Sequence, residues 1–251
     1  MVLRRCFLAV SLSALGLSAV SANPADTASA DASPSTAPAG PVVVELFLSQ
    51  ACRACPPAVD ILRSVAEDEN VIPLSWHVDY WDRMPMKNKG HWRDPYSNAA
   101  FTDRQRAYNK RLRGRATVFT PQAVINGVES VVGSKEKKIQ KLLSDRSGGG
   151  APAIVRGDAV PPGQIRVNVG DQPHDVIRVT YLREMRTVIP SGANKGLLFD
   201  EVNIVTEFET IAEQMTGERT LELSAPTLEE KGCLVLVQAH GQGRIRDAAY
   251  C

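Results

Sequence analysis

A short apolar run, Val42 to Leu48, leads into Cys52-Arg53-Ala54-Cys55-Pro56-Pro57, and this junction constrains the fold more than any other stretch of the chain. Short, bounded apolar runs read as buried strands. Proline lacks a backbone N–H, so two in succession fit a helix only at its start. A helix is therefore predicted to open at Pro56. Ala58, Ile61, Leu62 and Val65 give it one apolar face at i, i+3, i+4, i+7 spacing. The two cysteines fall in the turn between strand and helix.

A Cys-x-x-Cys pair can be a redox disulfide, half of a metal site or a structural clip. In this setting a thiolate meets unpaired N–H groups and the positive end of the helix dipole, both of which lower a thiol pKa. Cys52 is the expected nucleophile, and Cys55 the thiol that resolves a mixed disulfide.

Downstream, strand and helix signals alternate. Val71 to Val78 reads as a strand. Thr102 and Gln105 have capping-box spacing for a helix running to about Arg113. Gln122 to Ile125 and Glu129 to Val132 flank Asn126-Gly127, a hairpin signal. Ser134 is expected to cap a last helix with Ile139, Leu142 and Leu143 on its apolar face. The order β-α-β-α-β-β-α predicts a thioredoxin-like α/β domain over residues 41–147. Ser147-Gly148-Gly149-Gly150 marks a break. Beyond it, Gln164 to Val169, Asp175 to Leu182, Val202 to Phe208, Thr220 to Leu223, Cys233 to Gln238 and Arg244 to Ala249 read as strands. They predict an all-β, sandwich-like domain over 152–251.

The N-terminus carries Arg4 and Arg5 before an apolar stretch from Cys6 to Val20, then Val20-Ser21-Ala22. Residues 1–22 are expected to be a signal peptide, too short in their apolar part to span a membrane stably, and 23–40 a disordered linker. The expected location is the periplasm or the exterior. Lys and Arg number 29 against 28 Asp and Glu, a formal charge of +1 that gives no reason to expect nucleic-acid binding. Cleavage would leave four cysteines, Cys52, Cys55, Cys233 and Cys251, an even number suited to an oxidising compartment. A hairpin turning near Gly241-Gln242 would set Cys233 opposite residues 249–251, so a second disulfide is expected there.

Other residues bear on the dithiol. Thr120-Pro121 precedes a strand, and a cis peptide is expected there, facing the cysteines. His77 and Asp79 alternate near the end of the second strand. One reading has Asp79 accepting a proton or His77 stabilising the thiolate; the other has them anchoring the loop that carries Trp81 and Trp92. Glu45 lies inside an apolar strand, where a carboxylate needs a partner. An arginine such as Arg104 or Arg106 is the favoured one over a proton-relay role. The basic run from Arg104 to Arg115 reads as a solvated face, or less readily as a dock for an acidic partner.

Val43 to Pro57, together with Ser75 to Asp82, Ala100 to Tyr108, and Thr120-Pro121-Gln122 through Asn126-Gly127, resembles a family of exported bacterial thioredoxin-like proteins catalogued as a domain of unknown function. The second half resembles it through the Asn194-Lys195-Gly196 turn and Gly232-Cys233. The chain departs from the family pattern in a longer, more basic segment from Arg83 to Gly90 and in the terminal Cys251. The resemblance implies a fold and export, and no substrate. The expected activity is thiol–disulfide exchange on disulfide-containing or dithiol proteins, recharged by a redox partner, through Cys52, Cys55, Thr120, Pro121, His77 and Asp79. No cofactor is expected. The alternatives are Cu(I) or Zn(II) binding by Cys52 and Cys55 with His77 or His91, and a non-catalytic binding module with a structural disulfide.

Overall fold

The computed structural model describes residues 40–84, 90–145, 152–155, 160–223 and 229–251. The expected signal peptide, all but the last residue of the expected linker, the basic stretch at 85–89 and the glycine-rich break at 146–151 lie outside the described residues.

The first elements follow the sequence closely: β1 (Val42–Leu48), α1 (Pro56–Val65), β2 (Val71–His77), a 3-10 turn (Tyr80–Arg83), α2 (Ala99–Arg113), β3 (Gln122–Ile125), β4 (Glu129–Val132) and α3 (Glu136–Ser144). Asn126 and Gly127, both at positive φ, make the tight β3–β4 turn. Two helix starts differ from expectation. Asn98, not Thr102, caps α2, its side chain accepting the Ala100 N–H at 2.9 Å. The helix thus begins a turn earlier, and Thr102 and Gln105 are buried within it. Lys135 rather than Ser134 occupies the position before α3.

The larger correction concerns architecture. The chain is not a thioredoxin-like α/β domain followed by a β sandwich. It is mostly β, with three α-helices among the described residues and one mixed eight-stranded sheet running through both halves. The later strands are β5 (Ile154–Val155), β6 (Gln164–Asn168), β7 (His174–Val188), β8 (Leu198–Met215), β9 (Glu218–Glu222), β10 (Lys231–Ala239) and β11 (Ile245–Tyr250). The sheet order is β11-β10-β7-β8-β2-β1-β3-β4, and β5-β6-β9 form a separate small sheet. The physical reason lies in β7 and β8, which extend well beyond their alternating stretches into a long hairpin. That length brings β8 alongside β2, parallel, at Ser75 and Ile204. Ser75 Oγ donates to the Val202 carbonyl at 2.9 Å, and Asn203 Nδ2 to that of Pro73 at 3.0 Å.

Covering layers on both faces bury the sheet. Val44, Leu46 and Leu48 of β1 pack with α1 and α3, whereas Val43 and Phe47 point to the opposite face with Tyr108 and Phe101 of α2. In β10, Leu234 and Leu236 join that second core, while Val235 and Val237 pack with Ile165 and Val167 of the small sheet. Glu45 therefore sits on the α2 face. Arg104 donates to it at 2.7 Å, and the Tyr108 hydroxyl donates to its second oxygen. The arginine partner expected from the sequence is the one found. The basic stretch from Arg104 to Arg115 is mostly solvated, as expected: Arg106, Lys110, Arg111, Arg113 and Arg115 are exposed, whereas Arg104 is buried and Arg111 also donates to the Gln242 and Gly127 carbonyls.

Cys233 and Cys251 form the expected disulfide across β10 and β11, with Cα atoms 5.4 Å apart. It closes a separation of 18 residues. By chain entropy, Cys251→Ser should lower unfolding stability by about 3 kcal/mol, measured by urea melts. Glu45→Ala, which strands a buried guanidinium, should cost about 3–5 kcal/mol in the same assay.

Candidate functional site

The site is built around the turn from Ser49 to Cys55. Cys52 N–H donates to the Ser49 carbonyl at 3.0 Å, and Cys55 N–H to that of Cys52 at 3.1 Å. Cys55 is the N-cap residue of α1, its carbonyl accepting the Ala58 and Val59 N–H groups. Pro56 and Pro57 fill the first two helical positions, as expected. The helix start does not act on the thiolate as expected from the sequence. With two prolines first and Ala58 already bonded, the helix start offers the thiolate no free N–H. The backbone donors that hold Cys52 down are those of Ala54 and Cys55, within the turn.

Both thiols are buried, and they differ. Hydrogen bonding with the Cys55 side chain holds Cys52 below the ordinary thiol range, helped by the Thr120 side chain and the turn N–H groups, against the opposing effect of burial. Burial pushes Cys55 well above that range, and the neighbouring Cys52 adds to the rise. The Thr120–Pro121 peptide is cis, as expected. Thr120 interacts with both thiols and accepts the Trp81 indole N–H at 2.8 Å. The Pro121 carbonyl accepts the Gly133 N–H at 2.9 Å. A Cβ at Gly133 would lie 2.7 Å from Leu46 Cδ1 and 3.1 Å from the Pro121 ring, so any side chain there would push the Leu46 methyl aside. Sequence reasoning missed Tyr80. Burial raises its phenol, the charge of both cysteines adds to the rise and Thr120 and Gln105 oppose it, while the hydroxyl itself makes no hydrogen bond among the described residues. Its place immediately after the His77–Asp79 segment was the available signal.

His77 and Asp79 are not part of that contact set. Both Asp79 oxygens are engaged, one by the Thr102 hydroxyl at 2.7 Å and the other by Arg83. His77 is fully buried, with Nδ1 2.8 Å from Asp94 Oδ2 and Nε2 3.2 Å from Glu201 Oε1. Burial alone would lower its pKa; the two carboxylates more than offset that and lift it from 6.5 to about 10. Burial opposes ionisation of Asp94, but His77 beside it keeps the carboxyl below its usual range. The pair thus serves as an anchor: Asp94 Oδ2 also accepts the Gln50 N–H at 2.7 Å, and Gln50 Oε1 accepts the Trp92 indole N–H at 3.2 Å. With both nitrogens facing carboxylates, His77 is not available as a third metal ligand to the dithiol. Among the described residues, no group of three His, Cys, Asp or Glu side chains is arranged to hold a metal ion.

A histidine whose pKa rises on folding contributes stability that is full below its unfolded value of 6.5 and lost as pH climbs through its folded value of about 10. Asp94, with its lowered pKa, contributes in the opposite sense and is lost in acid. Urea melts should therefore show stability falling from neutral pH towards about pH 10. His77→Gln should lack that component and cost about 3–5 kcal/mol at neutral pH, because it leaves two buried carboxylates without their cation.

No curated protein matches the chain. Among solved structures it is similar to the crystal structure of protein AGR_C_4864 from Agrobacterium tumefaciens, with 28% identity and a TM-score of 0.66 over 84% of this chain and 94% of that one. It is also similar to HBP35 of Porphyromonas gingivalis, with 17% identity and a TM-score of 0.53 over 85% and 75% of the two chains, a likeness of fold alone. A family model covers residues 43–238, spanning the dithiol turn, the cis peptide and most of the shared sheet, and the chain belongs to that family, described as Protein of unknown function (DUF1223).

Proposed function

We propose that this protein is an exported thiol–disulfide oxidoreductase acting through Cys52 and Cys55 on disulfide-containing or dithiol proteins. The observation that carries this reading is the placement of two unbridged thiols in the turn that opens α1, with Thr120 of the cis Thr120–Pro121 peptide interacting with both. Cys52 is favoured as thiolate and Cys55 is held protonated, with Thr120 of the cis peptide interacting with both. Export is inferred from the leader sequence.

In the reducing direction, the Cys52 thiolate attacks one sulfur of a substrate disulfide. The S–S bond breaks, the second substrate sulfur leaves as a thiolate, and a mixed disulfide forms. The departing thiolate takes the Cys55 proton. Cys55 sulfur then attacks Cys52, closing the Cys52–Cys55 disulfide and releasing the first substrate sulfur. Two electrons pass from the dithiol to the substrate, and a dithiol partner restores the pair. The oxidising direction is the reverse. Cys52 has no exposed surface, so substrate access requires the surroundings of the turn to shift.

The test is equilibration of the mature protein in glutathione buffers, with alkylation and peptide masses as the readout. A reduction potential between about -120 and -270 mV with fast exchange is expected. Cys55→Ser should accumulate the mixed disulfide and Cys52→Ser should not. A potential below about -300 mV with slow exchange would reject the proposal in favour of a non-catalytic module with a structural disulfide.

A further inference from the structure

Gln50, two residues before Cys52, is fully buried, and its four polar groups are taken by the 92–94 segment, Asn194 and Glu201. Its N–H donates to Asp94 Oδ2 at 2.7 Å. Its carbonyl accepts Asn194 Nδ2 at 2.8 Å. Its side-chain amide donates to Glu201 Oε2 at 2.7 Å and accepts from the Trp92 indole at 3.2 Å. Asn194, itself buried in the β7–β8 connection, also donates to the Cys52 carbonyl at 2.9 Å. That carbonyl already receives the Cys55 N–H, so the peptide plane after Cys52 is fixed by two donors from different directions. Behind Gln50, Asp94 and Glu201 are held by His77 between them.

We infer that Gln50 and Asn194, anchored on the buried Asp94–His77–Glu201 cluster, are positioning residues that hold the Cys52 turn in the conformation where its N–H groups and the Thr120 hydroxyl converge on the thiolate. The inference rests on the thiol–disulfide reading of this site and extends it to a device in the second half of the chain. None of these residues needs to touch sulfur. Their effect is geometric, because donors aimed at a developing or resident charge lose most of their value when displaced by about an ångström. Neither Gln50 nor Asn194 is charged, so removing either leaves the charge of the cluster unchanged and isolates the positional effect.

The experiment uses the full mature protein with Gln50→Leu and, separately, Asn194→Ala, which removes two hydrogen bonds without touching the charged cluster. Val237→Ala, a cavity variant in the core under the small sheet, controls for lost stability. The readouts are the pH profile of Cys52 alkylation and the equilibrium constant with glutathione. Each positioning variant should move the Cys52 profile upward by about one unit, leaving roughly tenfold less thiolate at neutral pH. In alkaline buffer above both profile midpoints, where the reduced form is the thiolate and has lost that stabilisation, the equilibrium should shift about tenfold towards the disulfide, roughly 30 mV more negative. Val237→Ala should move neither. Folded Asn194→Ala or Gln50→Leu protein with wild-type profiles would overturn the inference, as would an equal shift in Val237→Ala. If wild-type protein fails to exchange with glutathione, the oxidoreductase reading falls, while the alkylation profile still decides the positioning role.

Discussion

Glu201 can be buried where β8 lies beside β2 only because a cation meets it there. Taking an isolated carboxylate out of water costs several kcal/mol even after relaxation. His77, at the end of β2, supplies the cation, and Asp94 engages its other nitrogen. Three separate stretches are thereby made mutually dependent: the central parallel strand, the segment after the 3-10 turn, and a strand from the second half. The parallel seam between β2 and β8 is itself short, anchored at Ser75 and Ile204 with two side-chain hydrogen bonds beside it. A short seam closed by a buried ion cluster is specific in register, since a slip of one residue would turn Glu201 to the other face of the sheet.

The same parity governs β1. Its alternate residues face α1 and the dithiol on one side and α2 on the other. Glu45 is on the α2 side, bonded to Arg104 and Tyr108, with Gln238 of β10 completing the network through Arg104 and the Tyr108 hydroxyl. A carboxylate one position along would point at the cysteines. The offset of one residue is therefore decisive: Glu45 braces the junction of α2 with the second half of the sheet, and a proton relay to Cys55 from this strand is geometrically closed.

Local signals were legible and long-range ones were not. The prolines placed α1 and the dithiol, Asn126-Gly127 placed the β3–β4 turn, and the Gly241-Gln242 turn placed Cys233 opposite Cys251, because each depends on a few neighbouring residues with strict backbone demands. The joining of two halves into one sheet was hidden because β10 is buried on both faces and reads simply as apolar, without indicating what covers it. The missed end of β7, residues 183–188, has no buried residue and so no alternation to mark it, while bulges interrupt the pairing of the first half of β7 with the end of β8. At the site, Cys52, Cys55, Thr120 and Pro121 come together as read. The partners of His77 could not be read, because Asp94 and Glu201 are acids with no distinguishing sequence context and meet only through the fold.

What tunes the dithiol then follows from what α1 cannot do. A helix start ordinarily presents free N–H groups to an anion, but here the first two positions are proline and the third N–H is bonded to Cys55. The dipole remains, but direct donation comes first from the Cys55 thiol, then from the Thr120 hydroxyl across the site and from the Ala54 and Cys55 N–H groups of the turn. A turn is softer than a helix and keeps its donors aimed only if it is held from outside. The hydrogen bonds from Asn194 to the Gln50 and Cys52 carbonyls, and from Gln50 to Asp94 and Glu201, are that hold. The prolines that fix where the helix begins thus leave the surroundings of the thiol to the turn, which Asn194, more than a hundred positions away, holds by two hydrogen bonds.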